Sequence, residues 1–162
     1  MKIFGKIITL TLSLLLALSM LASCGLLPGP TVDGERATVV LDLGEGEYKT
    51  YEIRLADVAD LTKGAYSLLL HLNENEGLSL DAPDSTYGVY INSVGELVPD
   101  AARNEYVAIY TSVEKDFAVP TADFPTVSEV VYNGRTLKAA GVGLSSMSVT
   151  DGAIILFRIE TF

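Results

Sequence analysis

The chain has little cysteine, little histidine and few basic side chains. Its 162 residues include one cysteine and one histidine, and 21 acidic side chains outnumber 11 basic ones, which gives a net charge of −10. A single cysteine excludes a disulfide within the chain and the clustered thiolates of cysteine metal sites. The negative charge repels phosphate backbones, so we expect no nucleic acid among the partners.

The N-terminal segment has the features of an export signal. Lys2 and Lys6 precede an apolar stretch, residues 7–22, that contains no charged side chain. A basic start followed by an apolar run of this length is typical of a cleaved signal peptide. A retained transmembrane helix is the alternative, but the run is at the short end of the about 20 residues that a membrane span needs. We therefore predict that residues 1–23 are a signal peptide.

The single cysteine follows this segment directly. The sequence "LASC" ends at Cys24 and resembles the lipobox of bacterial lipoproteins. The resemblance implies that the Cys24 sulfur carries a lipid, which would hold a bacterial lipoprotein on the extracytoplasmic face of the cell membrane. Residues 24–36 are rich in glycine and proline and predict a tether. Residues 37–162 then form a single domain of ordinary size.

Alternation of apolar and polar residues predicts strands over most of this domain. The segments "RATVVLDL" and "YKTYEIRL" have a period of two and are joined by "GEGE", which predicts a hairpin with one buried face. Strands are also expected in "GLSLD", "TYGVYINSVGEL", "NEYVAIYTSV", "SEVVYNGRTLKA" and "GAIILFRIE". Asn133-Gly134 is the strongest local hairpin signal among them.

One helix is expected between the first hairpin and the later strands. In "TKGAYSLLLHLNENEG", Ala65, Leu68, Leu69 and Leu72 share one helical face, and the helix should end near Gly77. This order of elements predicts an α+β fold, a mixed and mostly antiparallel sheet with one main helix packed on it. We expect the arrangement to be a β-grasp-like roll.

The segments "YGVYINSVGEL", "NEYVAIYTS" and "AAGVGLSSMSVTDGAIILF", after a hairpin and a leucine-rich helix, resemble a known family. The family is a bacterial domain of unknown function related to the C-terminal domain of transcobalamin and intrinsic factor, and the similarity spans about residues 37–160. In the animal proteins this domain closes over cobalamin together with a helical barrel. The resemblance alone implies cobalamin or a related corrinoid as a possible cofactor.

Tyrosines on two predicted strands are candidate ligand-binding residues. Tyr106 and Tyr110 alternate with apolar residues and should share one sheet face, and Tyr90 and Asn92 alternate in the same way with Val89 and Ile91. Tyrosine offers a flat ring and a hydroxyl at low entropic cost, which suits a planar or sugar-like ligand. The alternative is that these tyrosines only cover a sheet face, because tyrosine is a good strand former.

The glycine-rich segment "AAGVGLSSM" supplies further candidates. Gly141 and Gly143 would let the backbone approach a ligand closely, and Ser145 offers a hydroxyl beside them. The segment does not match a phosphate-binding loop, since the lysine or further glycines and the following helix are missing. A bend or bulge leading into the final strand is the alternative.

We predict no catalytic residue and no metal site. His71 adjoins the buried stripe of the helix, and no nucleophile motif accompanies it. The acidic turns "DLGEGE" and "DAPDSTYG" lack EF-hand spacing. The sequence therefore favours a non-enzymatic surface domain that binds a small molecule or glycan. The alternatives are a protein-interaction or assembly module and a carboxylate-dependent hydrolase.

Overall fold

A computed structural model of the protein describes residues 34–85 and 88–162. The predicted signal peptide, Cys24 and most of the tether lie outside the described residues. The first strand begins at Arg36, one residue before the predicted start of the domain. Within the described ranges, no helix is long and apolar enough to cross a membrane.

Six strands form a mixed sheet. The strands are β1 (Arg36–Gly44), β2 (Glu47–Arg54), β7 (Glu105–Thr111), β8 (Glu129–Tyr132), β9 (Arg135–Ala139) and β10 (Ala153–Thr161). Their order in the sheet is β2-β1-β10-β7-β9-β8. The first and last strands pair in parallel, and every other neighbouring pair is antiparallel.

Both predicted hairpins are confirmed. β1 and β2 are joined through Gly44, Glu45 and Gly46, all of which have positive φ. β8 and β9 are joined by Asn133 (φ 48°) and Gly134 (φ 75°), as a tight turn with two left-handed residues requires. The short turns set the register of each pair and therefore the residues that share a face.

Helix α1 (Ala65–Glu76) connects the first hairpin to the remaining strands. Its buried positions include the predicted apolar face of Ala65, Leu68, Leu69 and Leu72. Gly77 ends the helix in a left-handed conformation with φ 69° and donates its N–H to the Leu72 carbonyl, which is the usual role of glycine at a helix end. The predicted helix is confirmed.

The segment after the helix contains four strands of two residues each. They are β3 (Leu80–Asp81), β4 (Asp84–Ser85), β5 (Gly88–Val89) and β6 (Ser93–Val94), and they pair as β3 with β6 and β4 with β5. The long strand predicted over "TYGVYINSVGEL" is therefore wrong in extent. Gly88 and Gly95 have positive φ, which breaks an extended run at both ends.

Each face of the six-stranded sheet carries its own apolar cluster. One cluster lies under helix α1 and combines its leucines with alternate residues of the central strands, including Leu41, Ile155 and Phe157. The other lies on the opposite face and consists of Val40, Ala108, Tyr110, Tyr132, Leu137, Ile154 and Leu156. Such two-sided burial explains why β10 is apolar from Ala153 to Phe157.

The β8–β9 hairpin curls over the face opposite the helix. The Tyr132 hydroxyl shares a hydrogen bond of 2.7 Å with Thr50 Oγ1, and the Tyr132 ring meets Tyr48 edge-on with centroids 5.2 Å apart. Tyr132 belongs to one edge strand and Thr50 to the other, so the sheet bends like a half-barrel. The hairpin covers the part of this face near the start of β10 and leaves the end of β10 open.

The predicted α+β class, with one main helix on a mostly antiparallel mixed sheet, agrees with this structure. The β-grasp-like roll stays a prediction.

Candidate functional site

The open part of this face is built by the ends of β10 and β7. The strands pair so that Tyr110 lies opposite Leu156, Ala108 opposite Arg158, and Tyr106 opposite Glu160. Alternate residues of a strand share a face. The face of β10 that carries apolar side chains near its start therefore carries Arg158 and Glu160 near its end, beside the two tyrosines. The predicted common face of Tyr106 and Tyr110 is therefore present.

Both tyrosine hydroxyls donate to the same carboxylate. Tyr110 donates to Glu160 Oε1 at 2.5 Å, and Tyr106 donates to Glu160 Oε2 at 3.2 Å. Tyr110 is 2% exposed, and burial followed by its hydrogen bond to Glu160 raises the pKa of its hydroxyl. Burial and the Glu160 charge also raise the pKa of Tyr106. Both hydroxyls are therefore proton donors at neutral pH, and they fix the orientation of the carboxylate.

An arginine extends this polar network to the centre of the sheet. Arg158 Nε lies 3.5 Å from Glu160 Oε1, and Arg158 Nη1 lies 3.5 Å from Asp42 Oδ2. The Asp42 side chain is only 10% exposed, whereas Arg158 is 38% exposed. The guanidinium thus bridges two carboxylates and keeps one side available to solvent.

A groove of about 280 Å³ opens beside these tyrosines. We call it the tyrosine groove; its lining includes Tyr106, Ala108, Tyr110, Ser128, Val142 and Glu160. Ala108 lies between the two tyrosines on the same strand face, and its small side chain leaves the space that a larger residue would fill. Tyr106 stacks on Phe162 with centroids 4.4 Å apart, which holds its ring in place. The groove combines aromatic surface with a fixed carboxylate.

The structure places Tyr90 and Asn92 away from this groove. Tyr90 is 56% exposed, and its backbone N–H donates to the Pro83 carbonyl. The Asn92 amide donates to the Asp81 carboxylate at 3.1 Å. Their neighbour Ile91 belongs to the cluster under helix α1, on the other side of the sheet from Tyr106 and Tyr110. The predicted tyrosine residues are therefore divided between two places.

The glycine-rich segment runs from the groove toward the start of helix α1. A Cβ at Gly141 would lie 2.6 Å from Ala118 Cα, so the close approach at this glycine is to the protein's own backbone. Gly143 precedes a 3₁₀ turn, Leu144–Ser146. The Ser145 carbonyl lies 3.0 Å from the Cβ position of Gly64, just before the helix. Of this segment, Ala139, Ala140 and Val142 line the groove, whereas Gly143 and Ser145 lead away from it.

Arg158, Glu160 and Ser128 were not among the residues predicted from sequence. In "GAIILFRIE", the two charged residues interrupt an apolar strand at positions two apart, which is a readable sign that one face of β10 becomes polar. The contact of Glu160 with Tyr106 and Tyr110 joins residues about 50 positions apart and depends on the pairing of β7 with β10.

Neither the protein-family models nor the curated proteins include a match to this chain. Solved structures with a similar backbone include a Ruminococcus gnavus protein whose description proposes metal binding. It has a TM-score of 0.49 and 16% identity, and the alignment covers 79% of this chain and 98% of that one. Haptocorrin in complex with Cbi also has a TM-score of 0.49, with 12% identity over 79% of this chain and 25% of haptocorrin. The similarity of both proteins to this chain is in the path of the backbone.

Proposed function

We propose that the protein is a lipid-anchored, extracytoplasmic and non-catalytic domain that binds a small molecule or glycan in the tyrosine groove. The observation that carries the proposal is the pair of tyrosine hydroxyls that hold Glu160 beside an open aromatic groove. Preoriented polar groups in a partly apolar cleft are typical of ligand sites. The anchor and the location rest on the lipobox-like sequence that ends at Cys24.

The groove is better suited to a glycan than to a whole corrinoid. Its volume of about 280 Å³ is just below the range of roughly 300–1,000 Å³ that is usual for drug-sized ligands. The Glu160 carboxylate can accept charge-assisted hydrogen bonds from sugar hydroxyls, and aromatic rings can contact the sugar faces. A corrinoid, which the family resemblance implies, could place only the edge of its ring in a groove of this size.

Isothermal titration of the full chain in detergent tests this proposal. The probes are a trimer of N-acetylglucosamine and cobinamide. We expect the sugar to bind, and Ala108→Leu to abolish the binding by filling the groove while leaving Tyr106, Tyr110 and Glu160 intact. Tyr90→Phe is the matched control, because Tyr90 lies away from the groove.

The two probes separate the ligand classes. Binding of cobinamide alone, with the same sensitivity to Ala108→Leu, would replace the glycan by a corrinoid. Binding of neither probe to a cooperatively melting protein would contradict the proposal, as would a loss caused by Tyr90→Phe and not by Ala108→Leu.

A second candidate function, a protein-interaction module, is favoured by strand β2. This eight-residue strand is at the end of the sheet order, and most of its residues are exposed. An open edge strand can pair with a strand of a partner. Hydrogen exchange distinguishes the two functions: a partner at this edge would slow amide exchange in β2, whereas a ligand in the tyrosine groove would slow it in β7 and β10.

A further inference from the structure

A second cavity, of about 340 Å³, lies between helix α1 and the segment that precedes it. Its lining from the helix consists of Ser67, Leu70, His71, Glu74 and Asn75. The first four are spaced i, i+3, i+4 and i+7, so they form one stripe along the helix, and Asn75 lies beside it. Residues 57–60 and Lys63 line the cavity as well. The cavity is a polar cleft separate from the tyrosine groove.

Ser67 is an unsatisfied polar group in this cleft. The residue is 3% exposed, and its Oγ has no hydrogen-bond partner among the residues that the structure describes. Buried hydroxyls are nearly always hydrogen-bonded, because leaving one unpaired costs free energy. A bound molecule with a polar atom at this position would supply the missing partner.

The charges that line the cleft are unevenly satisfied. Asp57 pairs with the Arg54 guanidinium at 2.8 Å, and Asp60 Oδ1 accepts the Thr62 backbone N–H at 2.8 Å. In contrast, Lys63 and Glu74 form no ion pair within 4.0 Å of any residue in the described ranges. The charge of Lys63 acts only at longer range on Asp60, whose pKa is lowered by the hydrogen bonds from Thr62 and, to a smaller extent, by Lys63. A cation without a close partner thus precedes the helix, and an anion without one lies near its other end.

The spacing of these groups indicates the size of a ligand. From Ser67 to Glu74 the helix rises about 10 Å, at ~1.5 Å per residue. An extended peptide of three residues also spans about 10 Å. A metal ion is a poor candidate, since no group of three or more histidine, cysteine or acidic residues in the described part of the chain is placed to hold one.

We propose that this cleft binds a short peptide of two or three residues with free ends. Its carboxylate meets Lys63 and the Ser67 hydroxyl, where the positive end of the helix dipole also favours an anion. Its ammonium group meets Glu74. Val58 and Leu70 provide apolar contact for the side chains of the peptide.

Isothermal titration of the full chain in detergent with three matched peptides tests the assignment of both ends. Tri-L-alanine carries both charges, its N-acetyl form lacks the ammonium group, and its C-terminal amide lacks the carboxylate. We expect tri-L-alanine to bind, and each capped form to bind at least about tenfold more weakly, because each loses a charge-assisted contact.

Charge-removing variants locate the two ends within the cleft. Lys63→Met should weaken the binding of tri-L-alanine at least about tenfold and leave the binding of the C-terminal amide unchanged. Glu74→Gln should likewise weaken the binding of tri-L-alanine and leave the binding of the N-acetyl form unchanged. Lys49→Met is the control, since Lys49 is a lysine of β2 that pairs with Glu96. Ser67→Ala should weaken the binding of tri-L-alanine, while the melting temperature of the free protein should stay the same or rise.

Three results would overturn the proposal. They are no binding of tri-L-alanine, equal binding of all three peptides, and an equal loss of affinity in Lys49→Met and Lys63→Met. Tyr106→Phe, in the tyrosine groove, should leave peptide binding unchanged, so the outcome is independent of the function proposed for that groove.

Discussion

Replacing Tyr110 by phenylalanine removes one hydroxyl from a buried position and leaves the ring in place. That hydroxyl donates to Glu160 at 2.5 Å from a residue that is 2% exposed. Hydrogen bonds to charged groups contribute about 1.5–3 kcal/mol to stability, so Tyr110→Phe should lower the free energy of unfolding by about this amount at pH 7. For a domain of this size, the melting temperature should fall by roughly 5–10 °C.

The same substitution should change the response to alkali. Burial raises the pKa of Tyr110 in the folded protein above the ordinary value of about 10, so the folded state keeps a proton that the unfolded chain releases. The contribution of this group is therefore complete below pH 10 and is lost as the pH rises above it. Stability of the wild-type protein should decline more steeply above pH 10 than that of Tyr110→Phe.

Urea unfolding followed by circular dichroism, repeated between pH 7 and pH 11, measures both effects. Tyr106→Phe is the matched control, because its hydroxyl lies 3.2 Å from the same carboxylate and its side chain is only partly buried. The reasoning would be refuted if Tyr110→Phe lowered the free energy of unfolding no more than Tyr106→Phe does. Parallel pH profiles for the wild-type protein and Tyr110→Phe would also refute it.

Three further changes test other parts of the molecule. Asp116→Ala removes a buried carboxylate that accepts hydrogen bonds from the Ser148 backbone N–H at 2.6 Å and from the Ser148 hydroxyl at 3.1 Å. Chemical denaturation should show that the free energy of unfolding falls by about 2–3 kcal/mol. Gly141→Ala places a Cβ 2.6 Å from Ala118 Cα, so the melting temperature should fall; an unchanged value would contradict this packing. Cys24→Ser should abolish incorporation of radiolabelled palmitate in a bacterial host, and labelling equal to the wild-type protein would contradict lipidation at Cys24.

The local elements of the fold could be predicted from sequence. Helix α1 and the Asn133-Gly134 hairpin depend on residues within a few positions of each other, so periodicity and turn chemistry suffice. The strand expected around Tyr90 is shorter in the structure because alternation alone does not show where a strand ends. Gly88 and Gly95 adopt positive φ at the outer ends of β5 and β6, and residues 90–92 between these two strands are not in a strand.

The tyrosine groove could be predicted only in part. Alternation placed Tyr106 and Tyr110 on one face, since that depends on a single strand. Their shared partner Glu160 depends on the register between β7 and β10, which the sequence of either strand leaves open. The cavity beside helix α1 lies partly against the loop at residues 57–60, and periodicity does not determine where a loop packs.

The parallel pairing of the first and last strands determines when this domain can fold. Ala37 pairs with Ala153, and β10 lies between β1 and β7 in the sheet order, so neither side of the sheet can join the other until residues 153–161 are present. Contacts between residues so far apart in sequence form late and slowly. During synthesis, the domain therefore stays without its central strand until residues 153–161 have emerged from the ribosome. Truncation within β10 would leave two separate fragments of sheet rather than a smaller domain.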